Sequence, residues 1–116
     1  MGNVLIKRVY VSPLKSDGYR ILVDRLWPRG ISKQAAKIDH WLKDIAPSNE
    51  LRKWFNHEPQ KWEKFKKRYH QELLDIPDCV DWLKHKAKTL DKVTLVFSAS
   101  DETYNNAAAL KALLKL

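Results

Sequence analysis

The chain has 116 residues, of which 44% are hydrophobic and 31% charged, and its formal net charge is +8. These proportions exclude a disordered chain and predict one globular domain spanning residues 1–116. No apolar run reaches the length of a membrane span, and the first residues lack the apolar core of a signal peptide. Cys79 is the only cysteine and cannot form an intramolecular disulfide, so we expect a cytoplasmic protein. The positive charge favours an anionic partner, although solubility alone also explains it.

The N-terminal part of the chain predicts two strands and a short helix. Residues 4–11 are rich in β-branched side chains and predict the first strand. A turn at residues 16–18 precedes a second strand at residues 19–24, whose continuous apolar run is typical of a strand covered on both faces. Ser32 can cap a short helix at residues 33–37.

Residues 38–45 are ambiguous, because their apolar spacing is helical but Pro47 must end any helix there. A short strand or an irregular segment is therefore equally compatible with the sequence. Ser48 is a good N-cap for the following helix. Pro59 fits the first position of the next one. The apolar faces of these two helices comprise Leu51, Trp54, Phe55, Trp62, Phe65, Tyr69 and Leu73.

The C-terminal part predicts a helix, a strand and a last helix. Pro77 begins the first of these helices, and residues 93–97 form the clearest strand in the chain. Asp101 can cap the last helix, whose inner face comprises Ala107, Leu110, Leu113 and Leu114. The whole pattern predicts a small layered α/β domain, with a mainly parallel sheet of about four short strands flanked by helices.

Polar side chains follow the second predicted strand. The segment from Asp24 to Gly30 contains Arg25 and Arg29, and two arginines after a buried strand can hold a phosphate or carboxylate in a planar fork. Gly30 allows close approach of the backbone to a ligand, and Trp27 can stack on a base or cover the pocket. The alternative is equally compatible with the sequence: the charged residues pair with each other or with neighbours, and Trp27 belongs to the core.

A second polar group follows the last predicted strand. Ser98 and Asp101 lead into the final helix, where hydroxyl and backbone N–H groups make a natural anion site. Asn106 lies four residues before Leu110, on the apolar face, so we expect its amide to be buried and hydrogen-bonded to a loop or facing a pocket. Asn105 should point to the opposite side, where solvent can reach it.

Other familiar sites are not indicated. The four histidines and Cys79 form no metal-ligand spacing, and the sequence lacks a phosphate-binding glycine loop, a dinucleotide fingerprint and a nucleophile elbow. We therefore expect no cofactor and no metal. His57 can act as an acid or base, but a helix-end role is more common. The basic cluster at residues 61–68 can bind nucleic acid, although a solvated helix face explains it more simply.

The sequence resembles the YeaO-like family of small bacterial proteins, a domain-of-unknown-function family, along nearly its whole length. Matching segments are residues 24–30, 41–48, 50–55, 93–99, 101–102 and 105–107, together with His57, Pro59, Trp62, Phe65, Arg68 and Tyr69. The resemblance implies a compact α/β domain whose motif loops gather in a shared cleft, and it implies no established reaction. Ser100 and Tyr104 stand where the pattern has Lys and His. If that His served as a base, this member has lost or altered the chemistry.

Three hypotheses for the function follow. In the first, which we favour, the domain is an enzyme or a ligand-binding protein whose ligand is a small anion, such as a phosphoryl or nucleotide-like compound. Its predicted ligand-binding residues are Arg25, Trp27, Arg29, Gly30, Lys43, Arg52, Ser98 and Asn106. Asp44 or Asp101 would be the base or would orient the ligand. The second hypothesis is a nucleic-acid-associated module that uses the basic cluster, and the third is a protein-interaction domain without chemistry. The oligomeric state does not follow from the sequence.

Overall fold

A computed structural model describes residues 3–116 as an α/β domain with a four-stranded parallel sheet. The strands are β1 (Asn3–Arg8), β2 (Tyr19–Leu22), β3 (His40–Trp41) and β4 (Lys92–Phe97). The helices are α1 (Lys33–Ala36), α2 (Asn49–Phe55), α3 (Trp62–Leu74), α4 (Pro77–Thr89) and α5 (Asn106–Leu114). The predicted fold class is therefore confirmed. No helix within residues 3–116 has the length and apolar character needed to cross a membrane.

The sheet order is β1-β4-β2-β3, so the last strand in the chain occupies an inner position. Val93 of β4 pairs with Val4 on one side, and Leu95 pairs with Ile21 on the other. Residues 93–97 are all buried, as expected of a strand with neighbours at both edges and cover on both faces. Because every strand is parallel, the carboxyl ends of β2 and β4 lie at the same edge of the sheet.

The two faces of the sheet bury cores of different size. The larger core lies under α2 to α5 and includes Leu95, Phe65 and Leu110. The smaller core, on the other face, is built from Val9, Leu22, Ala36 and Val96, with Trp27 and Trp41 packed against it.

A buried ion-pair network accompanies the smaller core. The carboxylate of Asp17 contacts Lys7 Nζ at 3.0 Å and Arg20 Nη1 at 2.7 Å, and the side chains of Asp17 and Arg20 are almost fully buried. Burial opposes ionisation of Asp17, but the Leu14 backbone amide and the two cations outweigh it and hold the pKa of this carboxyl below its usual value. The network fixes the turn before β2, and Gly18 in that turn has a φ of 67°.

Several local predictions are confirmed. Ser32 and Ser48 cap α1 and α2, each accepting a backbone N–H three residues ahead at 3.1 Å. The ambiguous segment 38–45 contains the short strand β3 followed by a 3₁₀ turn, Lys43–Ile45.

The prediction that Asp101 caps the last helix is wrong. Asn105 caps α5, because its Oδ1 accepts from the Ala108 backbone N–H at 2.8 Å.

Candidate functional site

The ends of β2 and β4 are joined through the side chain of Asp24. Its Oδ2 accepts the Ser98 backbone N–H at 2.9 Å and the Ser98 hydroxyl at 2.6 Å. Its Oδ1 accepts from the Asn106 amide at 2.9 Å. The parallel pairing of β2 with β4 makes this possible, because it places residues 74 positions apart in the chain side by side. Asp24 therefore acts as an anchor for two loops and for the start of α5.

Asn106 and Asn105 fix the first turn of α5. Asn106 Nδ2 donates to the Val23 carbonyl at 3.0 Å as well as to Asp24, so the predicted hydrogen bonding is confirmed, whereas the residue is half-buried and not fully buried as expected. The prediction that Asn105 is solvated is wrong, since this residue is only 3% exposed. Besides capping the helix, its Nδ2 donates to the Asp101 carbonyl at 2.9 Å. Both amides are therefore engaged, and the first backbone N–H groups of α5 have no intrahelical acceptors, as at the start of any helix.

Arg25 has few partners for its guanidinium group. Nη2 donates to the Ala46 carbonyl at 2.9 Å, whereas Nε is buried without a partner among residues 3–116. The hypothesis that Arg25 pairs with Asp24 is not supported, because the carboxylate bonds instead with Ser98 and Asn106. An unpaired buried donor is unfavourable. With so few partners in the protein, the guanidinium is able to bind an anionic ligand.

Tyr69 holds the segment that carries the Ala46 carbonyl. Its hydroxyl donates to the adjacent Ile45 carbonyl at 2.6 Å. Complete burial raises the pKa of Tyr69 well above its usual value, so the phenol keeps its proton and its role as donor. The position of Ala46, and through it that of Arg25, is thus set from the core.

A cleft of about 330 Å³ opens at this edge of the sheet. Its cationic or titratable lining residues are Arg25, Arg52, Lys53 and His57. Its apolar and aromatic lining residues are Ala46, Pro47, Phe55, Phe65, Ala99 and Tyr104. Asp24 and Asn106 also line it. This volume is at the lower end of the range for small-molecule sites, which commonly combine an apolar wall with a few polar groups.

The end of α2 brings Asn56 and His57 to the cleft, and the sequence favours a helix-end role for His57 over that of an acid or base. Asn56 and His57 both have left-handed backbone conformations, with φ of 47° and 55°. The chain therefore turns sharply after α2, and His57 lines the cleft beside Lys53. Asn is common at such helix ends, but the second left-handed residue gives no signal in the sequence.

The chain is similar to several known bacterial proteins. A model of the family described as the inactive DUF488-N3 subclade matches residues 3–116. The chain belongs to this DUF488-N3i family. The uncharacterized protein YeaO of Escherichia coli is 44% identical over 113 residues, which is 97% of each chain. An uncharacterized protein of Mycobacterium tuberculosis is 39% identical over 112 residues, covering 97% of this chain and 93% of the relative. The YeaO-like resemblance is thereby confirmed. No solved structure gave a significant match.

The structure of this DUF488-N3i member brings four of the predicted site residues together. Arg25, Arg52, Ser98 and Asn106 all line the cleft, although they come from three separate parts of the chain. Asp101 lies outside the lining, and its Oδ1 accepts the backbone N–H groups of Thr103 and Tyr104 at 2.8 and 2.9 Å.

These bonds also favour the ionised form of Asp101. The Tyr104 and Thr103 amides lower the pKa of the carboxyl, and the charge of His57 acts in the same direction. Asp101 thus shapes the loop between β4 and α5.

The loop after β2 places its remaining predicted site residues away from the cleft. Trp27 packs on the smaller core, with its ring centroid 5.6 Å from that of Trp41, and its Nε1 donates to the Ile31 carbonyl at 2.8 Å. The side chain of Arg29 is exposed, and its carbonyl accepts from the Tyr10 hydroxyl. Gly30 is exposed with a φ of 74°, and a Cβ there would meet open space.

Lys43 and Asp44 lie in the turn after β3, also outside the cleft lining. Lys43 Nζ lies 5.2 Å from the centroid of the Trp41 ring. Asp44 is exposed near Cys79, and burial of the thiol together with this carboxylate raises the pKa of Cys79.

The basic face of α3 is partly engaged with tryptophan rings. Arg68 lies over Trp54 at 4.2 Å, and Lys61 lies 5.1 Å from the same ring. Lys66 lies 5.5 Å from the ring of Trp62. These cation–π contacts use the indole faces that stacking on nucleic-acid bases would need.

Proposed function

We propose that the protein is a small-anion-binding domain whose site is the cleft at the ends of β2 and β4. Arg25 and Arg52 hold a phosphoryl or carboxylate group, and the start of α5 completes the site with backbone donors. Lys53 adds positive charge beside them. The observation that carries the proposal is the state of Arg25, which lines the cleft and whose guanidinium makes a single hydrogen bond among residues 3–116, from Nη2 to the Ala46 carbonyl.

The cleft supports binding better than catalysis. Asp24 is the carboxylate in its lining, and both of its oxygens already accept hydrogen bonds from Ser98 and Asn106. A carboxylate held in this way is a scaffold and a poor general base. Tyr104 lines the cleft where the family resemblance leads us to expect His. The description of the family as inactive supports the same conclusion. We therefore propose a ligand-binding role without a reaction.

The experiment is a calorimetric titration with mononucleotides and sugar phosphates at two salt concentrations. Arg25→Lys keeps the charge but removes the planar fork, so we expect it to weaken binding about tenfold or more. Arg29→Lys is the matched control, because Arg29 is exposed outside the cleft, and it should leave the affinity unchanged. Equal effects of the two substitutions would refute this site.

The same titration separates the proposal from its alternatives. An oligonucleotide is added as a third ligand, together with a variant in which the exposed Lys64 and Lys67 of α3 are both changed to Gln. A nucleic-acid surface predicts a steep loss of affinity with salt, about 0.9 in logarithmic slope per contacted phosphate of duplex DNA, and a flatter slope in this variant. If only the oligonucleotide binds in this way, the protein is a nucleic-acid module. If no ligand binds, a protein-interaction domain is the better hypothesis.

A further inference from the structure

The charges around the cleft are not balanced. Arg25, Arg52 and Lys53 contribute three positive charges, and Asp24 contributes one negative charge. Within residues 3–116, the ion pairs are formed by other side chains, so none of these three cations is neutralised by a neighbouring carboxylate. The cleft therefore carries a net charge of about +2 when His57 is neutral, and a dianion complements this charge better than a monoanion does.

The rest of the cleft lining combines polar side chains with an apolar wall, and three residues of that wall are aromatic. Phe55 and Phe65 belong to its lining, where they are largely buried and stack with their ring centroids 4.4 Å apart. Tyr104 is half-buried beside them and packs edge-on against Trp62, with centroids 5.3 Å apart. A bare inorganic anion would leave this surface in water, whereas an apolar group on the ligand would cover it. The volume of about 330 Å³ restricts that group to a compact one.

We infer that the ligand is a compact phosphate monoester whose ester group is a planar apolar ring. This inference rests on the proposed anion-binding function. The dianionic phosphoryl group lies between Arg25 and Arg52, where the forks match its oxygens. The ring lies against Tyr104 and the phenylalanines. Tyr104 is therefore a specificity-determining residue that acts by its ring, since its hydroxyl has no hydrogen-bond partner among the described side chains and backbone.

The test compares three small probes by calorimetry at pH 8, where a phosphate monoester is a dianion because its second pKa is about 6. Phenyl phosphate has both features, phenyl sulfate keeps the ring but carries one charge, and methyl phosphate keeps the dianion but lacks the ring. We expect phenyl phosphate to bind about tenfold or more tightly than either of the others. Equal affinity for phenyl phosphate and phenyl sulfate would overturn the dianion inference and leave the anion site intact. Equal affinity for phenyl phosphate and methyl phosphate would overturn the inference that the ligand carries a planar apolar ring. If none of these probes binds while a mononucleotide or sugar phosphate does, the inference fails and the proposed function stands; if none of all these ligands binds, both fail.

Variants of Tyr104 test whether the ring of the ligand lies against this residue. Tyr104→Ala should reduce the affinity for phenyl phosphate about tenfold while methyl phosphate binds as in wild type, which also shows that the cleft remains folded. Tyr104→Phe should retain the wild-type affinity for both. Tyr10→Ala is the matched control, because Tyr10 is 46% exposed in the loop after β1. A loss of both ligands in Tyr104→Phe would overturn the assignment of Tyr104 as an aromatic wall.

Discussion

Replacing Asn106 with Ala should destabilise the protein, because its side chain joins α5 to the end of β2. The amide Nδ2 donates to the Val23 carbonyl at 3.0 Å and to Asp24 Oδ1 at 2.9 Å. Ala leaves both acceptors without this donor in a partly buried place. Losing such partners costs about 1–3 kcal/mol of the free energy of unfolding.

This loss of unfolding free energy can be converted into a change in melting temperature. The unfolding entropy is about 2.1 cal/mol/K per residue, or about 0.24 kcal/mol/K for the 116 residues of this chain. Each 1 kcal/mol of destabilisation therefore lowers Tm by about 4 °C, so Asn106→Ala should melt about 4–12 °C below wild type.

The assay is thermal unfolding followed by circular dichroism, supported by urea titration. Gln71→Ala is the matched control, because it removes an exposed amide from α3 and should change the stability by no more than about 0.5 kcal/mol. If Asn106→Ala melts together with Gln71→Ala, the amide does not hold α5 to the sheet, and the account of the Asp24 anchor is wrong.

Three further predictions concern residues outside the cleft. Asp17→Asn should destabilise the protein by about 3–5 kcal/mol in urea titrations at pH 7, because it leaves the buried Arg20 guanidinium without its counter-ion. Since folding lowers the pKa of Asp17, its ionised form contributes stability above an unfolded pKa of about 3.9, and this contribution disappears as pH falls through the folded pKa. The variant should therefore show a smaller acid loss of stability than wild type, and equal acid slopes would contradict this reasoning. Cys79 should react with iodoacetamide at pH 8 more slowly than a free thiol does, and Asp44→Asn should accelerate it by removing a nearby negative charge; identical rates in the two proteins would exclude that coupling. Gly18→Ala should lower the free energy of unfolding by roughly 1–3 kcal/mol or more, because φ is 67° and a Cβ would overlap the carbonyl of the first residue of β4; an unchanged Tm would contradict that geometry.

Local signals in the sequence were sufficient to predict most of the elements and part of the site. Ser32 and Ser48 were identified as N-caps because the bond that each makes joins groups only three residues apart, so the local sequence determines it. The inward position of Asn106 followed from helical periodicity in the same way. The strand-end rule also indicated that Arg25 and Ser98 belong to one edge of the sheet, and both line the cleft.

Tertiary structure decided the features that depend on the path of a loop or on a distant partner. Asp101 and Asn105 have equally good capping side chains, and the course of the chain between β4 and α5 selected Asn105. The sequence equally allowed Trp27 to cover a pocket or to join the core. In the structure Trp27 packs on the smaller core, which provides an apolar surface, and the Ile31 carbonyl accepts its indole N–H. The pairing of Asp24 with Ser98, and not with Arg25, required the sheet order that places β2 beside β4. A sequence pattern indicates which face of a helix or strand each side chain occupies. Only the packed structure brings the charges of Arg25, Arg52 and Lys53 to one cleft and leaves them without a counter-ion among the described residues.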